Sequence, residues 1–305
     1  MSAATRLKDR VLQFIVEQAL WAPDERVAVA VSGGLDSVVL LDVLVRTQRA
    51  HGGHLSVVTI DHGTRPGSAQ DTAFVLDLAS SHGLPAQTQR FELGAAASEQ
   101  ACRDARYGVF DTLNVHHVAL AHHRDDQAET VLMRWVRGAG TGGLSGMAAR
   151  RGRYVRPFLD EPQQAVRAYA EAMQLTWRED PSNTDPRFLR NRVRAELLPL
   201  MESLRPGAST ALARSARLAA ADDALLCELA SKQCPHVVGG WYTRDLASAP
   251  EPIARRALNL ALPLCSSAHI DAILGACRRG HGVVALSATV QVRIDRELVS
   301  ITAPG

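Results

Sequence analysis

Two serines, two glycines and an aspartate stand close together near the start of the chain. The segment reads Ser32, Gly33, Gly34, Leu35, Asp36 and Ser37, and it lies between an apolar run at 27–31 and an apolar stretch with helical spacing at 38–44. Backbone N–H groups that leave a strand for a helix N-terminus bind anions, and glycine allows close approach to a phosphate. The serine hydroxyls add donors, and Asp36 is placed to hold Mg²⁺. The segment therefore predicts a polyphosphate site.

The turn contains no lysine, so it differs from the nucleotide loop that ends in Gly-Lys-Ser/Thr. Its six residues resemble the pyrophosphate loop of the ATP pyrophosphatase superfamily, whose members cleave ATP between the α and β phosphates and adenylate a carbonyl oxygen. The resemblance implies ATP and Mg²⁺ at this turn. The alternative is an ordinary turn in which Ser32 or Asp36 caps the helix. Ala30 and Ile60, near the ends of the first two predicted strands, complete the predicted nucleotide-binding set.

A second group of polar residues occupies positions 122–130. If a helix begins near Arg124, Asp126 and Glu129 share one of its faces, and His122 lies at the mouth of the preceding strand. These groups could bind Mg²⁺, hold an ammonium group or accept a proton. Alternatively, the acidic residues simply complement the positive end of the helix, which accounts for Asp125 better than for the whole cluster.

The surrounding elements predict an α/β fold with a doubly wound parallel sheet. Apolar strand-like segments alternate with helical patterns, an order typical of parallel strands with helices on both faces. The predicted strands are 27–31, 55–60, 86–91 and 118–121, and the predicted helices are 36–50, 69–82 and 99–113. Ligands of such sheets bind beyond the carboxyl ends of the strands. The turn at 32–37, the segment Asp61-His62-Gly63 and the histidines at 122–123 all leave strands at that edge.

The rest of the chain predicts a connecting region and a smaller α+β domain. Gly138, Gly140 and Gly143 follow a helix rather than a strand, so they do not form a dinucleotide fingerprint; a mobile loop and a helix stop both stay open. Asp185-Pro186 predicts a helix start, with the helix running to about Met201. Arg205-Pro206-Gly207 predicts the boundary between domains 1–205, with its connecting region at 138–205, and 206–305. Alternation at 283–301 predicts short antiparallel strands.

Composition narrows the class of protein. The chain has 305 residues, 46% hydrophobic and 22% charged, no apolar stretch of membrane-spanning length and no secretory signal, which predicts a cytoplasmic protein. Five cysteines without a C-x-x-C pair predict reduced thiols and exclude the usual zinc or iron–sulfur spacing. Two arginine clusters suit a polyanion, although such clusters are also typical of solvated faces: Arg150, Arg151, Arg153 and Arg156, and then Arg187, Arg190, Arg192 and Arg194.

Over nearly its whole length the chain resembles the tRNA(Ile)-lysidine synthetase family. Four stretches match that family's pattern in order: SGGLDS, ACRDARYGVF, AHHRDDQAETVLMRWVRGAGTGGLSGM, and RPFL followed by DPSNTDPRFLRNRVRAELLP. The resemblance implies that ATP adenylates the wobble cytidine of a CAU anticodon and that the side-chain amine of free lysine then displaces AMP. The family usually has Asn-His-Gly where this chain has Asp61-His62-Gly63, which leaves a role for Asp61 open.

The resemblance also implies residue roles. Asp36 would hold Mg²⁺, Arg103 and Arg106 would assist the phosphates, and Asp126 or Glu129, oriented by His122, would bind lysine, a metal or a proton. Asn191, Arg192 and Arg194 would contact tRNA or a substrate carboxylate, and domain 206–305 would bind tRNA. Three competing interpretations are a tRNA-thiolating enzyme, a small-molecule amidating ligase and a non-catalytic nucleotide-binding module. The oligomeric state stays open.

Overall fold

The computed structural model describes residues 3–63, 67–94, 98–179, 189–262 and 265–302. The chain divides into two compact units, 1–217 and 218–305. This division falls inside the helix Ala208–Gln233, after the boundary predicted at 205–207.

The first unit is built on a sheet that has six strands in the described part of the chain. The strands are β1 (Arg26–Ala30), β2 (His54–Asp61), β3 (Ala86–Arg90), β4 (His117–Ala119), β5 (Arg150–Arg151) and β6 (Tyr154–Val155). Their order is β3-β2-β1-β4-β6-β5, and every pair is parallel except β5 with β6. The predicted parallel α/β fold is confirmed.

Ten helices lie between residues 3 and 233 of the described chain, and the last of them begins in the first unit and continues into the second. They are α1 (Ala3–Glu17), α2 (Leu35–His51), α3 (Ser68–Ser81), α4 (Glu99–Thr112), α5 (Arg124–Val136), α6 (Thr141–Leu144), α7 (Gln163–Ala172), α8 (Leu189–Arg192), α9 (Leu198–Leu204) and α10 (Ala208–Gln233). A π-helical turn, Val193–Leu197, joins α8 to α9.

The alternation of side chains along β1 separates the two faces of the sheet. Val27 and Val29 belong to the core that also contains residues of α1, α2 and α7, whereas Ala28 packs in a second core with Val118 and with Phe110 of α4. A period of two along a strand has this effect because successive side chains point to opposite faces. Removal of these apolar surfaces from water is the main force that holds the layers together.

The position of β1 defines the binding edge. It pairs with β2 on one side and with β4 on the other, so Val29 lies opposite both Val57 and Ala119. The connections after β1 and after β3 lead to opposite faces, which opens a crevice beyond the carboxyl ends of β1 and β4. The turn at 32–37 and the histidines at 122–123 both enter this crevice.

The helical segment before α10 packs against α5. Val193 and Leu198 are buried with Ala128 and Leu132 of α5, and this contact carries the arginines of the segment towards the crevice. The predicted helix start at Asp185-Pro186 lies outside the described residues. The predicted end near Met201 falls inside α9, which ends at Leu204.

The second unit has an antiparallel sheet, the part of α10 from residue 218 onwards and three further helices within its described residues. The strands β7 (Gly240–Tyr242), β8 (Gly282–Ala285), β9 (Gln291–Ile294) and β10 (Leu298–Thr302) are ordered β7-β10-β9-β8, and the helices are α11 (Thr243–Ser248), α12 (Glu251–Ala261) and α13 (Ser267–Arg279). Trp241, Leu258 and Val292 are buried in its core. The antiparallel strands predicted at 283–301 are confirmed. No helix in the described part of the chain is long and apolar enough to cross a membrane.

Candidate functional site

Hydrogen bonds inside the turn at 32–37 fix its shape. The Ser37 hydroxyl donates to the Gly34 carbonyl at 2.9 Å and accepts from the Ser32 N–H at 3.2 Å. Gly33 has a φ of +86°, which favours glycine, and its carbonyl accepts from the Arg178 N–H at 2.9 Å. Ser37 therefore holds the turn from inside.

The helix that follows the turn has an open N-terminus. Gly34 is the N-cap of α2 and supplies no side-chain cap, so the first N–H groups of this helix have no partner from the cap residue. Their dipoles point out of the helix towards the crevice. These N–H groups and the Ser32 hydroxyl lie where the sequence predicts an anion site, which stays a prediction, and the side chain of Leu35 lies in the core below them.

Asp61 closes the turn after β2. Its Oδ1 accepts from the Gly63 N–H at 2.9 Å, and its Oδ2 lies 3.8 Å from Arg90 Nε. Burial opposes the charged form of Asp61, but hydrogen bonds from Ser68 and Gly63 and the charge of Arg90 outweigh it and lower its pKa. Asp61 is thus an internal support of the loop, which answers the question that the sequence left open. Ala30 and Ile60 are half-buried and pack against the core below this edge.

His123, rather than the predicted His122, joins the polar groups of the crevice. It is the N-cap of α5, and its Nδ1 accepts from the Asp126 N–H at 3.3 Å while Asp126 Oδ2 accepts from the His123 N–H at 3.0 Å. Its Nε2 lies 3.7 Å from Asp36 Oδ2 and 3.4 Å from Asp126 Oδ2. Burial lowers the pKa of His123, but the carboxylates of Asp126 and Asp36 outweigh this effect and raise it.

His122 lies beside this network in a different electrostatic state. Burial, together with the charges of Arg156, Arg190 and Arg106, lowers its pKa to about 3 against the attraction of Asp126. Among the described residues its buried Nδ1 has no hydrogen-bond partner. His122 is therefore a neutral imidazole at neutral pH. It can offer a hydrogen bond to a ligand, but it is a weak base.

Two arginines neutralise the predicted carboxylate pair. Arg190 donates from Nε to Glu129 Oε2 at 2.7 Å and from Nη2 to Asp126 Oδ1 at 3.0 Å. Arg194 donates from Nε to Glu129 Oε1 at 2.6 Å and from Nη2 to Asp126 Oδ1 at 3.0 Å. Asp126, Glu129, Arg190 and Arg194 form what we call the carboxylate–guanidinium cluster.

The cluster shifts the pKa values of Asp126, Arg190 and Arg194. Burial opposes the charged forms of Arg190 and Arg194, but Asp126 and Glu129 outweigh it and raise the pKa of each guanidinium. Burial likewise opposes the charge of Asp126, and the attraction of His123 and Arg190 overcomes it and lowers its pKa to about 2. Asp126, Arg190 and Arg194 are therefore charged over the whole physiological pH range.

The carboxylates differ in what they can still bind. In this arrangement both oxygens of Asp126 accept hydrogen bonds, and both oxygens of Glu129 are held by guanidinium groups. The predicted metal contact of Asp126 stays a prediction, and a metal there would have to share these oxygens with the groups that already donate to them. Asp36 Oδ1 is buried and has no partner among the described residues. A carboxylate oxygen in this state suits a hard cation, and Mg²⁺ needs only one or two carboxylates in addition to substrate phosphates and water.

The two arginines predicted to assist phosphates lie in different surroundings. The charge of Arg106 lowers the pKa of both His62 and His122, after the larger effect of burial, which places Arg106 near the crevice. Arg103 stacks on the Tyr107 ring at 4.8 Å and lines a neighbouring cavity of about 600 Å³.

The glycine-rich segment after α5 is a helix stop. Gly138 has a φ of +75°, and Arg134 Nη1 donates to the carbonyls of Gly143 and Gly146 at 2.9 and 2.7 Å. The Gln127 amide donates to the Met147 carbonyl at 2.9 Å and accepts from its N–H at 2.6 Å. Of the two interpretations left open above, these contacts favour the helix stop.

Sequence reasoning named Arg194 but gave no site role to His123 or Arg190. The available signal was spacing, because Arg190 and Arg194 are four residues apart and therefore share one helical face. Arg192 lies on the other side, where it pairs with Glu196 on the surface at 3.1 Å. Arg192 is two residues away from both Arg190 and Arg194, so spacing alone predicts that its side chain faces away from theirs.

A family model described as PP-loop domain matches residues 3–201. The tRNA(Ile)-lysidine synthase of Geobacter sulfurreducens is 40% identical over 300 residues, covering 90% of this chain and 64% of the relative. For the same enzyme of Salinispora arenicola the identity is 37% over 290 residues, covering 87% of each chain. The chain spans only 43% of the Deinococcus radiodurans relative, at 39% identity.

Solved structures support the fold. The U34-tRNA thiolase NcsA of Methanococcus maripaludis, solved with its [4Fe-4S] cluster, superposes with a TM-score of 0.60 at 17% identity, covering 71% of this chain and 80% of that one. At this level of identity the likeness concerns the fold alone.

Proposed function

Because this chain belongs to the PP-loop domain family and, within it, to the family of the tRNA(Ile)-lysidine synthases, we propose that it is an ATP-dependent carbon–nitrogen ligase that makes lysidine. In the proposed reaction, ATP adenylates the carbonyl oxygen of the wobble cytidine in the CAU anticodon of tRNA(Ile). The side-chain amine of free L-lysine then displaces AMP. The products are AMP, pyrophosphate and the modified tRNA.

One observation carries the proposal: an anion site and a carboxylate cluster open onto the same crevice. The open N-terminus of α2 and the turn at 32–37 suit the phosphates of ATP. Asp126 and Glu129, at the start of α5, suit a cationic substrate. An enzyme that joins an amine to a carbon whose oxygen has been adenylated, with AMP as the leaving group, needs both sites next to each other.

The first step needs stabilisation of the charge that develops on pyrophosphate. The N–H groups of Gly33 and Gly34, the hydroxyl of Ser32 and the guanidinium of Arg106 are the groups we assign to this task. We do not assign it to Arg103, which lines the neighbouring cavity. Asp36 would hold Mg²⁺ through Oδ1, its free oxygen. When bound, Mg²⁺ supplies Lewis-acid stabilisation of phosphate charge.

The second step needs a lysine amine that has lost its proton, although the reference pKa of this group is about 10.4. We assign the binding of the lysine ammonium to Asp126 and Glu129. Because Arg190 and Arg194 hold these carboxylates in the structure described, the ammonium must replace at least one guanidinium contact. We assign to His122, a neutral imidazole whose Nδ1 has no partner among the described residues, the acceptance of a hydrogen bond from the same amine.

We also propose that residues after 205 contribute to tRNA binding, because the predicted ATP and lysine sites are complete before them. Removing 218–305 cuts the chain at the division between the two units. If the shortened chain folds, as judged by circular dichroism, ATP binding should persist and tRNA binding should weaken. Unchanged tRNA affinity in the folded fragment would contradict this assignment. A cytoplasmic location remains our expectation from the sequence.

The test of the reaction is the transfer of [¹⁴C]lysine to an unmodified tRNA(Ile) transcript with a CAU anticodon in the presence of ATP. We expect ATP-dependent label in the RNA and stoichiometric AMP, and none with an elongator tRNA(Met) transcript. A thiolating enzyme would incorporate sulfur and no lysine, and an amidating ligase would not modify RNA. A nucleotide-binding module would bind ATP and form no AMP.

A further inference from the structure

A cavity of about 600 Å³ lies between α4 and the hairpin of β5 and β6. Its walls are mainly cationic and aromatic, and we call it the arginine cavity after the residues that dominate it: Arg103, Arg151, Arg153, Arg156, Tyr107 and Tyr154. None of its walls belongs to the turn at 32–37 or to the carboxylate–guanidinium cluster. It is therefore a separate site in the first unit.

The arginines of this cavity are held by neutral groups. Arg153 donates to the carbonyls of Leu113 and Val115 at 2.7 and 2.8 Å, just beyond the end of α4. Arg156, which is only 6% exposed, donates from Nη1 to the Ala148 carbonyl at 2.8 Å. These carbonyl contacts fix the side chains in place, but they leave their positive charges uncompensated.

The two carboxylates in the cavity wall are already engaged. Asp111 accepts from the Tyr154 hydroxyl at 2.5 Å, and Asp104 accepts from the Gln100 amide at 2.6 Å. In the described part of the chain neither carboxylate forms an ion pair with an arginine of the cavity, although hydrogen bonds from neutral donors do not cancel the charge of a carboxylate. The wall has four arginines and two aspartates, so its formal charge is still positive. Burial and the nearby charges of Arg103 and Arg151 lower the pKa of Arg156, which is the effect expected where cations are crowded together. Such a cavity attracts an anion.

The deep end of the cavity adjoins the catalytic crevice. Arg156 follows β6, which pairs with β4, and β4 leads to His122. The charge of Arg156 is among those that act on the His122 imidazole. An RNA strand that passes through the cavity therefore reaches the place where the base to be modified must lie.

We propose that the arginine cavity binds the phosphodiester backbone of the RNA substrate next to the nucleotide whose base enters the crevice. The proposal rests on the proposed function, because it requires an RNA substrate. Several guanidinium groups beside aromatic rings are typical of sites for single-stranded RNA, where arginine binds phosphate and aromatic side chains stack on bases. The phosphates of ATP already have a site at the turn, so RNA is the occupant that needs this one.

Arg151→Ala tests the proposal, because Arg151 is exposed and the change should not affect folding. We expect about tenfold weaker binding of the tRNA(Ile) transcript, corresponding to the loss of one charge-assisted contact. The slope of log affinity against log salt should become shallower by about 0.7–0.9. Binding of ATP in the absence of RNA should not change. Arg151→Lys should recover part of the affinity, because it keeps the charge without the planar donor group.

Arg167→Ala is the matched control, since it removes the same charge from an exposed position on α7. Equal loss of RNA affinity in both variants would overturn the proposal in favour of a general charge effect. Weaker ATP binding with unchanged RNA binding would assign the cavity to the nucleotide, and no change in either would also overturn the proposal. A wild-type chain that binds the transcript but transfers no lysine would contradict the proposed function alone, because this test measures binding.

Discussion

Two groups of arginines in the first unit differ in what balances their charge. In the carboxylate–guanidinium cluster each guanidinium faces carboxylates, whereas in the arginine cavity the partners are carbonyls, a tyrosine ring and other arginines. The pKa of an arginine side chain is therefore shifted in opposite directions in the two regions. The pKa of Arg190 is raised by Asp126 and Glu129 against burial, and the pKa of Arg156 is lowered by burial and neighbouring cations.

This difference indicates what each region can still bind. A balanced cluster gains little from another ion unless one member leaves, so it acts as a support or as a selective site for a competing cation. An unbalanced cavity gains directly from an anion. Asp36 lies between these two cases, because its Oδ2 faces His123 Nε2 at 3.7 Å while its Oδ1 has no hydrogen-bond partner in the described part of the structure. The following predictions test this contrast.

The largest expected effect is on catalysis by Asp36→Asn. The change keeps the size of the side chain but removes the charge that we assign to Mg²⁺, so pyrophosphate release should slow by about 10²–10³-fold. Stability should barely change, because Oδ1 has no protein partner to lose. Turnover near the wild-type rate at limiting Mg²⁺ would contradict the assignment.

Glu129→Ala should have the largest effect on stability. Glu129 is 1% exposed, and its loss leaves Arg190 and Arg194 without their main partner. Breaking a fully buried pair costs about 3–5 kcal/mol, and we expect about 2–3 kcal/mol here because 38% of the Arg194 side chain is exposed. Urea unfolding measures this difference, and Arg151→Ala, in the unbalanced region, should leave the midpoint unchanged. Equal destabilisation by Glu129→Ala and Arg151→Ala would contradict the difference that we describe between the carboxylate–guanidinium cluster and the arginine cavity.

The change in stability with pH that Asp126 causes should be smaller than the effect of Glu129→Ala. Its folded pKa of about 2 lies below the reference value of 3.8, so its ionised form stabilises the fold above pH 3.8, and this contribution is lost as the pH falls towards 2. The shift corresponds to about 2 kcal/mol. The stability gap between wild type and Asp126→Asn should therefore narrow over this acid range. A gap that stays constant down to pH 2 would show that Asp126 gains no stability from its charge.

Local pattern predicted the fold and the position of the turn at 32–37 between β1 and α2. The turn at 32–37 and the start of α5 at Arg124 both follow from residues that are adjacent in sequence, and the structure places them at one sheet edge. The alternation of elements predicted the parallel sheet, whereas the order of its strands around β1 comes from the structure. The predicted features depend on local preferences, which a single sequence contains.

The missing parts of the site depend on contacts between distant residues. Whether His122 or His123 faces Asp36 is decided by which of them caps α5, a matter of one residue at a strand end. Arg190 reaches Asp126 only because the segment around Val193 packs on α5. Sequence could show that Arg190 and Arg194 share a face, but not that this face meets the carboxylates.

The smallest expected effect belongs to Arg192→Ala, which separates position in sequence from position in space. Arg192 lies between Arg190 and Arg194, yet its side chain is 57% exposed and pairs with an equally exposed Glu196. Exposed pairs of this kind contribute little to stability, so urea unfolding should not distinguish the variant from wild type. RNA affinity should also stay within twofold, because a solvated, paired guanidinium offers less to a phosphate than the unbalanced ones of the cavity. A loss of RNA affinity as large as that of Arg151→Ala would mean that exposure, rather than uncompensated charge, selects the arginines that bind RNA.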